Sequence, residues 1–348
     1  GAPSLWTVGA GDTNKRKGGT MRKSILIPLD GSPFGEQALP MGLDLARRMG
    51  AEVHLVHVHQ PVRPAPYAEG ILAYNGELEE EARTREEQYL ANLANRSAET
   101  AGVVVRRALL DGPVAPTLSR YVDEEEIGLV VMTTHGRGGL SRAWLGSVAD
   151  ALIRQVTVPV LFLRPGKEAG PEQPREFRRI LIPLDGSELA ESVVATAEEI
   201  GRLSDAEYTL LHIVVPPFVL GPPRSAVLVE PGDSPEVLER WSDDYLAQVA
   251  ARMRAAGLRV RAVVETYPNA AQGILDYART HDIDLIAMST HGRVGFSRIA
   301  LGSVSDKVLR AAEVPVLLQR GKGAAEEAEK RQEGQAQLEL VERPGAAS

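Results

Sequence analysis

A glycine-bearing loop that is present twice carries the residue types best suited to holding a ligand. Residues 133–136 read Thr-Thr-His-Gly, and Gly-Ser-Val follows at 146–148 after nine intervening residues. The pattern returns at 289–292 and 302–304 with the same spacing, except that Ser replaces the first Thr. Each copy follows a short apolar run and precedes a helix-compatible stretch. Because a loop leading from a strand into a helix presents free backbone N–H groups, the pattern predicts two phosphate sites.

The loop residues also have a purely structural interpretation, in which the glycines only supply turns. Ser147 and Ser303 could likewise cap the helices that follow them, a role that is compatible with contact to a phosphate. Arg137 and Arg293 directly follow loop glycines and would add positive charge near an anion. The identical spacing of the two copies favours the phosphate interpretation.

A second repeated motif is Asp-Gly-Ser, which stands at 30–32 and at 185–187 directly after an apolar run. A turn followed by a helix N-cap would explain it structurally. An aspartate at the carboxyl end of a strand could also accept a hydrogen bond from an exocyclic amine or a ribose hydroxyl. The motif leaves both interpretations open.

Histidines on one predicted strand raise the question of a metal site. His57 and His59 share a face of that strand, and His54 lies on the opposite face, so a two-histidine site is conceivable. The second copy has only His212 there, with Val214 in place of His59. We therefore predict no metal.

No pattern in the chain marks a catalytic residue. His135 and His291 lie in the loops, but no carboxylate or nucleophile is suitably spaced from either. The chain contains neither GxxxxGK[ST] nor GxGxxG, so the lysine with which many NTPases hold phosphates is missing. We predict a binding site with no catalytic residues.

Apolar runs alternate with helix-period stretches in both copies. We predict strands at 24–29, 52–58, 103–109, 129–132, 158–163, 180–184, 208–214, 259–264, 285–288 and 316–319. We predict helices at 35–49, 77–101, 114–125, 147–154, 189–203, 235–256, 270–281 and 304–312. This alternation, with almost continuously apolar strands, indicates an α/β fold with a doubly wound parallel sheet. Ligands bind such sheets beyond the carboxyl ends of the strands.

The repeat divides the chain of 348 residues into two domains of one fold. We predict a disordered leader at 1–20, domains at 21–164 and 178–320, a linker at 165–177 and a disordered tail at 321–348. The net charge of −8 argues against a nucleic-acid partner. The chain has no cysteine, which fits a reducing cytoplasm, and no apolar run near the ~20 residues of a membrane span. We therefore expect a cytoplasmic protein with no membrane partner.

Taken together, the repeated motifs resemble those of the universal stress protein family, with two such domains joined head to tail. The resemblance rests on residues 25–32, 55–58, 133–148 and 158–161 and on their counterparts in the second copy. The family's nucleotide motif is G-x2-G-x9-G-[ST], and three of its four elements occur in each domain. The first motif glycine is Thr133 in one domain and Ser289 in the other, so a side chain stands where the family has none.

The resemblance implies a Rossmann-like five-stranded parallel sheet in the order 3-2-1-4-5 in each domain. It also implies ATP at the carboxyl ends of the first and fourth strands, with Mg²⁺ as a companion of the phosphates. In the first domain the implied ATP contacts are Pro28, Asp30, Val58, Met132, Thr133, His135, Gly136, Arg137, Gly146, Ser147 and Val148. In the second they are Pro183, Asp185, Ile213, Met288, Ser289, His291, Gly292, Arg293, Gly302, Ser303 and Val304. Asp30 and Asp185 would lie on the adenine or ribose side, and Val58 and Ile213 would pack against adenine.

The function implied is that of an ATP-binding, nucleotide-dependent regulator in stress response. A weak ATPase and a nucleotide-free dimerisation scaffold remain as alternatives. Residues 158–163 and 314–319 would be edge strands in the implied order, and proteins generally cover apolar edges. We therefore predict that the two domains pair through these strands as an intramolecular pseudo-dimer, and a homodimer stays open.

Overall fold

The computed structural model describes residues 23–61, 76–134, 145–164, 174–216, 235–290 and 301–321. The predicted leader lies outside these ranges, as do most of the predicted linker and all but the first residue of the predicted tail. Six predicted ATP contacts also lie outside the described residues: His135, Gly136, Arg137, His291, Gly292 and Arg293.

Within the described residues the chain forms ten strands, most of them buried along their length. They are β1 (Ser24–Leu29), β2 (Glu52–His59), β3 (Val105–Asp111), β4 (Leu129–Thr133), β5 (Val160–Leu163), β6 (Arg179–Pro183), β7 (Glu207–Val214), β8 (Arg259–Thr266), β9 (Leu285–Ser289) and β10 (Val316–Gln319). The strands β4, β5, β9 and β10 are buried at every position because helices cover both faces of the sheet.

Helices alternate with these strands. They are α1 (Pro33–Glu36), α2 (Ala38–Met49), α3 (Gly76–Ala101), α4 (Val114–Glu124), α5 (Ser147–Gln155), α6 (Glu188–Glu191), α7 (Val194–Arg202), α8 (Pro235–Ala255), α9 (Ala270–Thr280) and α10 (Ser303–Ala311). The predicted helices at 35–49 and 189–203 are each broken in two. In the first case, Pro40 lies in the first turn of α2 and has no N–H to donate to a carbonyl of the preceding turn. In the second case, the Ser192 hydroxyl donates to the Leu189 carbonyl at 2.7 Å, a local bond that competes with the helical ones.

The predicted strand order is confirmed in both units. The sheet runs β3-β2-β1-β4-β5-β10-β9-β6-β7-β8, so each unit has the order 3-2-1-4-5. All pairings inside a unit are parallel. The first and fourth strands are neighbours, since Ile25 pairs with Leu129 and Ile180 with Leu285. Because these two strands are parallel neighbours, the motifs that follow them lie at the same carboxyl edge of the unit.

The two units join through their last strands, as predicted from the apolar edges. β5 and β10 pair antiparallel, with Leu161 opposite Leu317 at the centre. Both side chains have no exposed surface. One ten-stranded sheet therefore crosses the whole described protein, and its two apolar layers are shared. One layer packs under α2, α3, α7 and α8, and the other under α4, α5, α9 and α10.

Candidate functional site

The carboxyl edge of each unit carries an aspartate whose position is fixed by its own turn. Asp30 follows β1, and its Oδ1 accepts from the backbone N–H of Ser32 at 2.9 Å and from the Ser32 hydroxyl at 2.6 Å. Asp185 makes the same two bonds to Ser187, at 3.0 and 2.6 Å. The intervening Gly31 has φ +76°, a value that favours glycine.

The serines of this motif cap the short helices that follow. The Ser32 hydroxyl accepts from the Gly35 N–H, and the Ser187 hydroxyl from the Ala190 N–H, both at 3.1 Å. The structural interpretation of Asp-Gly-Ser is therefore confirmed. It does not exclude a ligand role, because the aspartates remain only half-buried at the edge where a parallel sheet binds ligands.

The helices that follow the glycine loops start differently. Gly146 and Gly302 are the N-cap residues of α5 and α10, and within the described residues neither helix has a side-chain cap bond. The interpretation of Ser147 and Ser303 as caps is wrong, because each serine is the first residue inside its helix. The first turns of α5 and α10 therefore offer N–H groups and the positive end of a helix dipole to an anion.

These helix starts are tied to the ends of the fourth strands by backbone bonds. The Gly146 N–H donates to the Thr134 carbonyl at 2.8 Å, and the Gly302 N–H to the Thr290 carbonyl at 2.7 Å. A Cβ at Gly302 would lie 2.6 Å from that same carbonyl oxygen. Glycine is thus required here by close packing of backbone on backbone, a reason the loop spacing alone does not reveal.

The predicted apolar contacts line the same edge. Val58 is buried and Ile213 is half-buried in the layer beneath α4, α5, α9 and α10. Other predicted contacts in this layer are Met132 and Met288, which are buried, and Val148 and Val304, which are half-buried. Pro28 is half-buried and Pro183 is buried. The structure thus brings the described members of both predicted sets to the carboxyl edge.

The first motif positions, Thr133 and Ser289, are buried at the ends of β4 and β9. The Ser289 Oγ has no hydrogen-bond partner among the described residues. A buried hydroxyl without a partner is costly. This atom is therefore a candidate for a bond to a bound group.

One feature shared by both edges was not predicted. The Nδ1–H of His57 donates to the Leu29 carbonyl at 2.8 Å, and that of His212 to the Leu184 carbonyl at 2.8 Å. Each histidine thereby ties the end of the second strand to the end of the first. The histidine that recurs at the same strand position in both copies was the available signal, since it places an N–H donor there twice.

A second unpredicted feature occurs only in the first unit. The two ring nitrogens of the buried His59 donate to Glu86 at 2.6 Å and to Glu79 at 2.5 Å, and His57 Nε2 lies 3.4 Å from Glu86. Burial alone would lower the pKa of His59, but its hydrogen bonds to Glu79 and Glu86 raise that pKa above the usual value. No sequence spacing pointed to this cluster.

The histidine faces follow the predicted strand alternation. His54 points to the side opposite His57 and His59, where its Nδ1 lies 2.9 Å from the Tyr121 hydroxyl. Across the described segments, no group of three or more histidine, cysteine, aspartate and glutamate side chains is arranged to hold a metal ion. No helix in those segments is both long enough and apolar enough to cross a membrane.

The fold and edge geometry define a class: a tandem pair of doubly wound α/β domains with matching carboxyl edges. The sequence model of the Universal stress protein family matches residues 21–164 and 176–320. The chain belongs to that family.

Similar proteins agree with this assignment. A universal stress protein of Mycobacterium tuberculosis is 27% identical over 310 residues, which cover 85% of this chain and 96% of that protein. One from Methanocaldococcus jannaschii is 31% identical over 153 residues, 44% of this chain and 88% of its own. The crystal structure of a universal stress protein from Archaeoglobus fulgidus superposes with a TM-score of 0.65 at 20% identity, covering 86% of this chain and 98% of that one. At that identity the superposition supports the fold alone.

Proposed function

We propose that each unit binds one ATP at its carboxyl edge, and that the protein acts as a nucleotide-dependent regulator in stress response. The observation that carries the proposal is the uncapped start of α5 and α10 at that edge. By contrast, α1 and α6, which follow the first strand of each unit, are capped by serine side chains. The backbone N–H groups at the starts of α5 and α10 therefore stay available to phosphate oxygens, where the family motif expects them.

The residues at the edge fit the other parts of ATP. Val58 and Ile213 offer apolar surface for adenine. Asp30 and Asp185, each held by its serine, present carboxylates for the adenine amine or a ribose hydroxyl. The Ser289 hydroxyl supplies one further polar group in the second unit. Mg²⁺ would arrive with the phosphates and neutralise part of their charge.

The first test is whether ATP stabilises the fold. A ligand that binds only the native state adds about 2.7 kcal/mol at one hundred times its Kd, so the melting temperature should rise by several degrees. Calorimetry should count two ATP molecules per chain, because both units keep the same set of edge residues. The absence of any shift at millimolar ATP would reject the proposal and favour the scaffold.

A matched pair of serine variants sharpens the test in the second unit. Ser289→Ala removes a hydroxyl with no partner among the described residues, so it should raise stability without ATP by about 1 kcal/mol and weaken ATP binding. Ser305→Ala is the control, because that hydroxyl already donates to the Thr290 carbonyl at 2.9 Å. It should lower stability and leave ATP affinity unchanged. Equal ATP affinity in both variants would remove Ser289 from the site.

A single-turnover assay separates binding from hydrolysis. Accumulation of ADP with time would favour the weak ATPase, whereas recovery of intact ATP from the loaded protein supports the regulator. The proposal for ATP as the ligand stands in either case.

A further inference from the structure

Two arginines cross between the units at the central strand pair. Arg164, directly after β5, donates to the carbonyl of Arg310 in the last turn of α10 at 2.6 Å. Arg320, directly after β10, donates to the carbonyl of Arg154 in the last turn of α5 at 3.5 Å. Carbonyls in the last turn of a helix have no partner within that helix. Each unit therefore caps the phosphate-facing helix of the other.

Backbone hydrogen bonds connect the strand residue beside each crossing arginine to the N-cap glycine of a site helix. Beside Arg164, the Leu163 carbonyl accepts from the Thr134 N–H at 2.9 Å, and the Thr134 carbonyl accepts from the Gly146 N–H at 2.8 Å. A hydrogen-bonded path thus leads from the carboxyl end of α10 to the N-cap of α5.

The second unit has the equivalent path, with the roles of α5 and α10 exchanged. Beside Arg320, the Gln319 carbonyl accepts from the Thr290 N–H at 2.9 Å, and the Thr290 carbonyl accepts from the Gly302 N–H at 2.7 Å. The carboxyl end of α5 is thereby linked to the N-cap of α10. Each path joins both site helices.

Charged side chains of the same helices also meet at this junction. Asp150, in the first turn of α5, pairs with Arg154 at 2.9 Å, and Asp306, in the first turn of α10, pairs with Arg310 at 2.9 Å. The Arg310 guanidinium also approaches Asp150, at 3.9 Å. These side chains are about one-third exposed, so water and salt screen the pairs only in part.

We propose that the crossing arginines couple the two ATP sites, so that ATP in one unit raises the affinity of the other. The coupling rests on the proposed function. ATP at the start of α10 would fix Gly302, Thr290 and, through Arg320, the carboxyl end of α5. The second ATP would then bind a helix that is already ordered. Linkage makes the effect reciprocal, and a coupling of this kind changes affinity by about fivefold or more.

Native mass spectrometry of the full chain during an ATP titration tests the coupling directly. The unmodified protein should show fewer singly loaded chains than two independent sites allow. The Arg164→Gln/Arg320→Gln variant should show the distribution of independent sites, with both sites still able to fill.

The matched control is Arg48→Gln. Arg48 also crosses between the units, since it donates to the Leu203 carbonyl and, at 3.2 Å, lies by the Ser204 hydroxyl. Arg48 belongs to α2, in the other helix layer, and among the described residues its hydrogen bonds go to Asp44, Leu203 and Ser204 and not to α5 or α10. Its loss should leave the coupling intact.

The possible failures are distinguishable. Two ATP molecules bound independently to the unmodified chain would overturn the coupling and leave the proposed function standing. Coupling that persists in the double variant would overturn the role of the arginines. No ATP on the unmodified chain would overturn both proposals. If the double variant does not fold, Arg164→Gln alone gives the same comparison, because it removes the shorter of the two crossing bonds.

Discussion

The two units differ most where the second strand ends. In the first unit that strand ends in His59, whose ring is held between Glu79 and Glu86 of α3. In the second unit Val214 takes its place. There, Trp241 of α8 lies edge-on to His212 at 5.9 Å and stacks on Tyr245 at 5.5 Å. One strand end is thus held by buried charges and the other by aromatic packing.

This difference shows which part of the repeat the shared fold requires. The histidine that ties the second strand to the first is kept, with an identical bond length of 2.8 Å in both units. The side chains around this histidine differ: they form an ionic cluster in the first unit and an aromatic pair in the second. Because the cluster contains a histidine whose pKa its glutamates raise, its contribution to stability should depend on pH.

The largest expected effect comes from His59→Val, which copies the second unit into the first. Removing the cation takes the hydrogen bonds of His59 away from two partly buried glutamates, so we expect a loss of about 3 kcal/mol at pH 6. The folded-state pKa of His59 is raised. Its contribution is therefore fully present below about pH 6.5, the ordinary histidine value, and is lost as pH rises through the raised pKa. Urea unfolding at pH 6 and pH 9 measures the change.

The control is the triple variant His59→Val/Glu79→Gln/Glu86→Gln, which removes the histidine and both glutamate charges of the cluster together. It should lose less stability than His59→Val at pH 6 and show a weaker dependence on pH. Other ionisable groups face the cluster, namely His57, Arg83 and Asp111, and all three are unchanged in both variants. An equal loss at pH 6 and pH 9 in the single variant would show that packing, not charge, holds this strand end.

The next effect tests the aromatic side of the comparison. Trp241→Ala removes the ring that stacks on Tyr245 and contacts His212, but the side chain is 38% exposed, so the loss should be about 2 kcal/mol. Trp241 does not ionise, so the loss should change less with pH than the loss in His59→Val. Trp241→Phe should recover about half of it. A loss that changes with pH as much as that of His59→Val would mean that the second unit also depends on a titrating group.

Apolar periodicity and the repeated motifs are local signals, and they predicted the alternation of strands and helices and the location of the carboxyl edge. The strand order was implied by the resemblance to the family. The sequence placed the starts of two strands less well. The strand predicted from residue 103 begins at Val105, since Val104 is 65% exposed at the outer edge. The strand predicted from 158 begins at Val160, after Pro159, which has no N–H for the sheet.

The ionic cluster could not be predicted for a different reason. Glu79 and Glu86 lie 20 and 27 residues from His59, on a helix whose rotation about its axis no local spacing reveals. The crossing arginines are further apart still in sequence, and each needs the antiparallel pairing of β5 with β10 to meet its carbonyl. Contacts of this kind become visible only when the packing of the elements is known.

The smallest effect tests what the two units share. His57→Phe and His212→Phe each remove the Nδ1–H donor and leave a strand-end carbonyl, at Leu29 or Leu184, without that bond. Each should cost about 1 kcal/mol, the ordinary net value of one such bond. In the first unit the change also removes the 3.4 Å contact of His57 with Glu86, so His57→Phe should cost more than His212→Phe. Equal losses in both variants would show that the strand-end bond alone matters, and that the cluster around His59 is energetically separate from it.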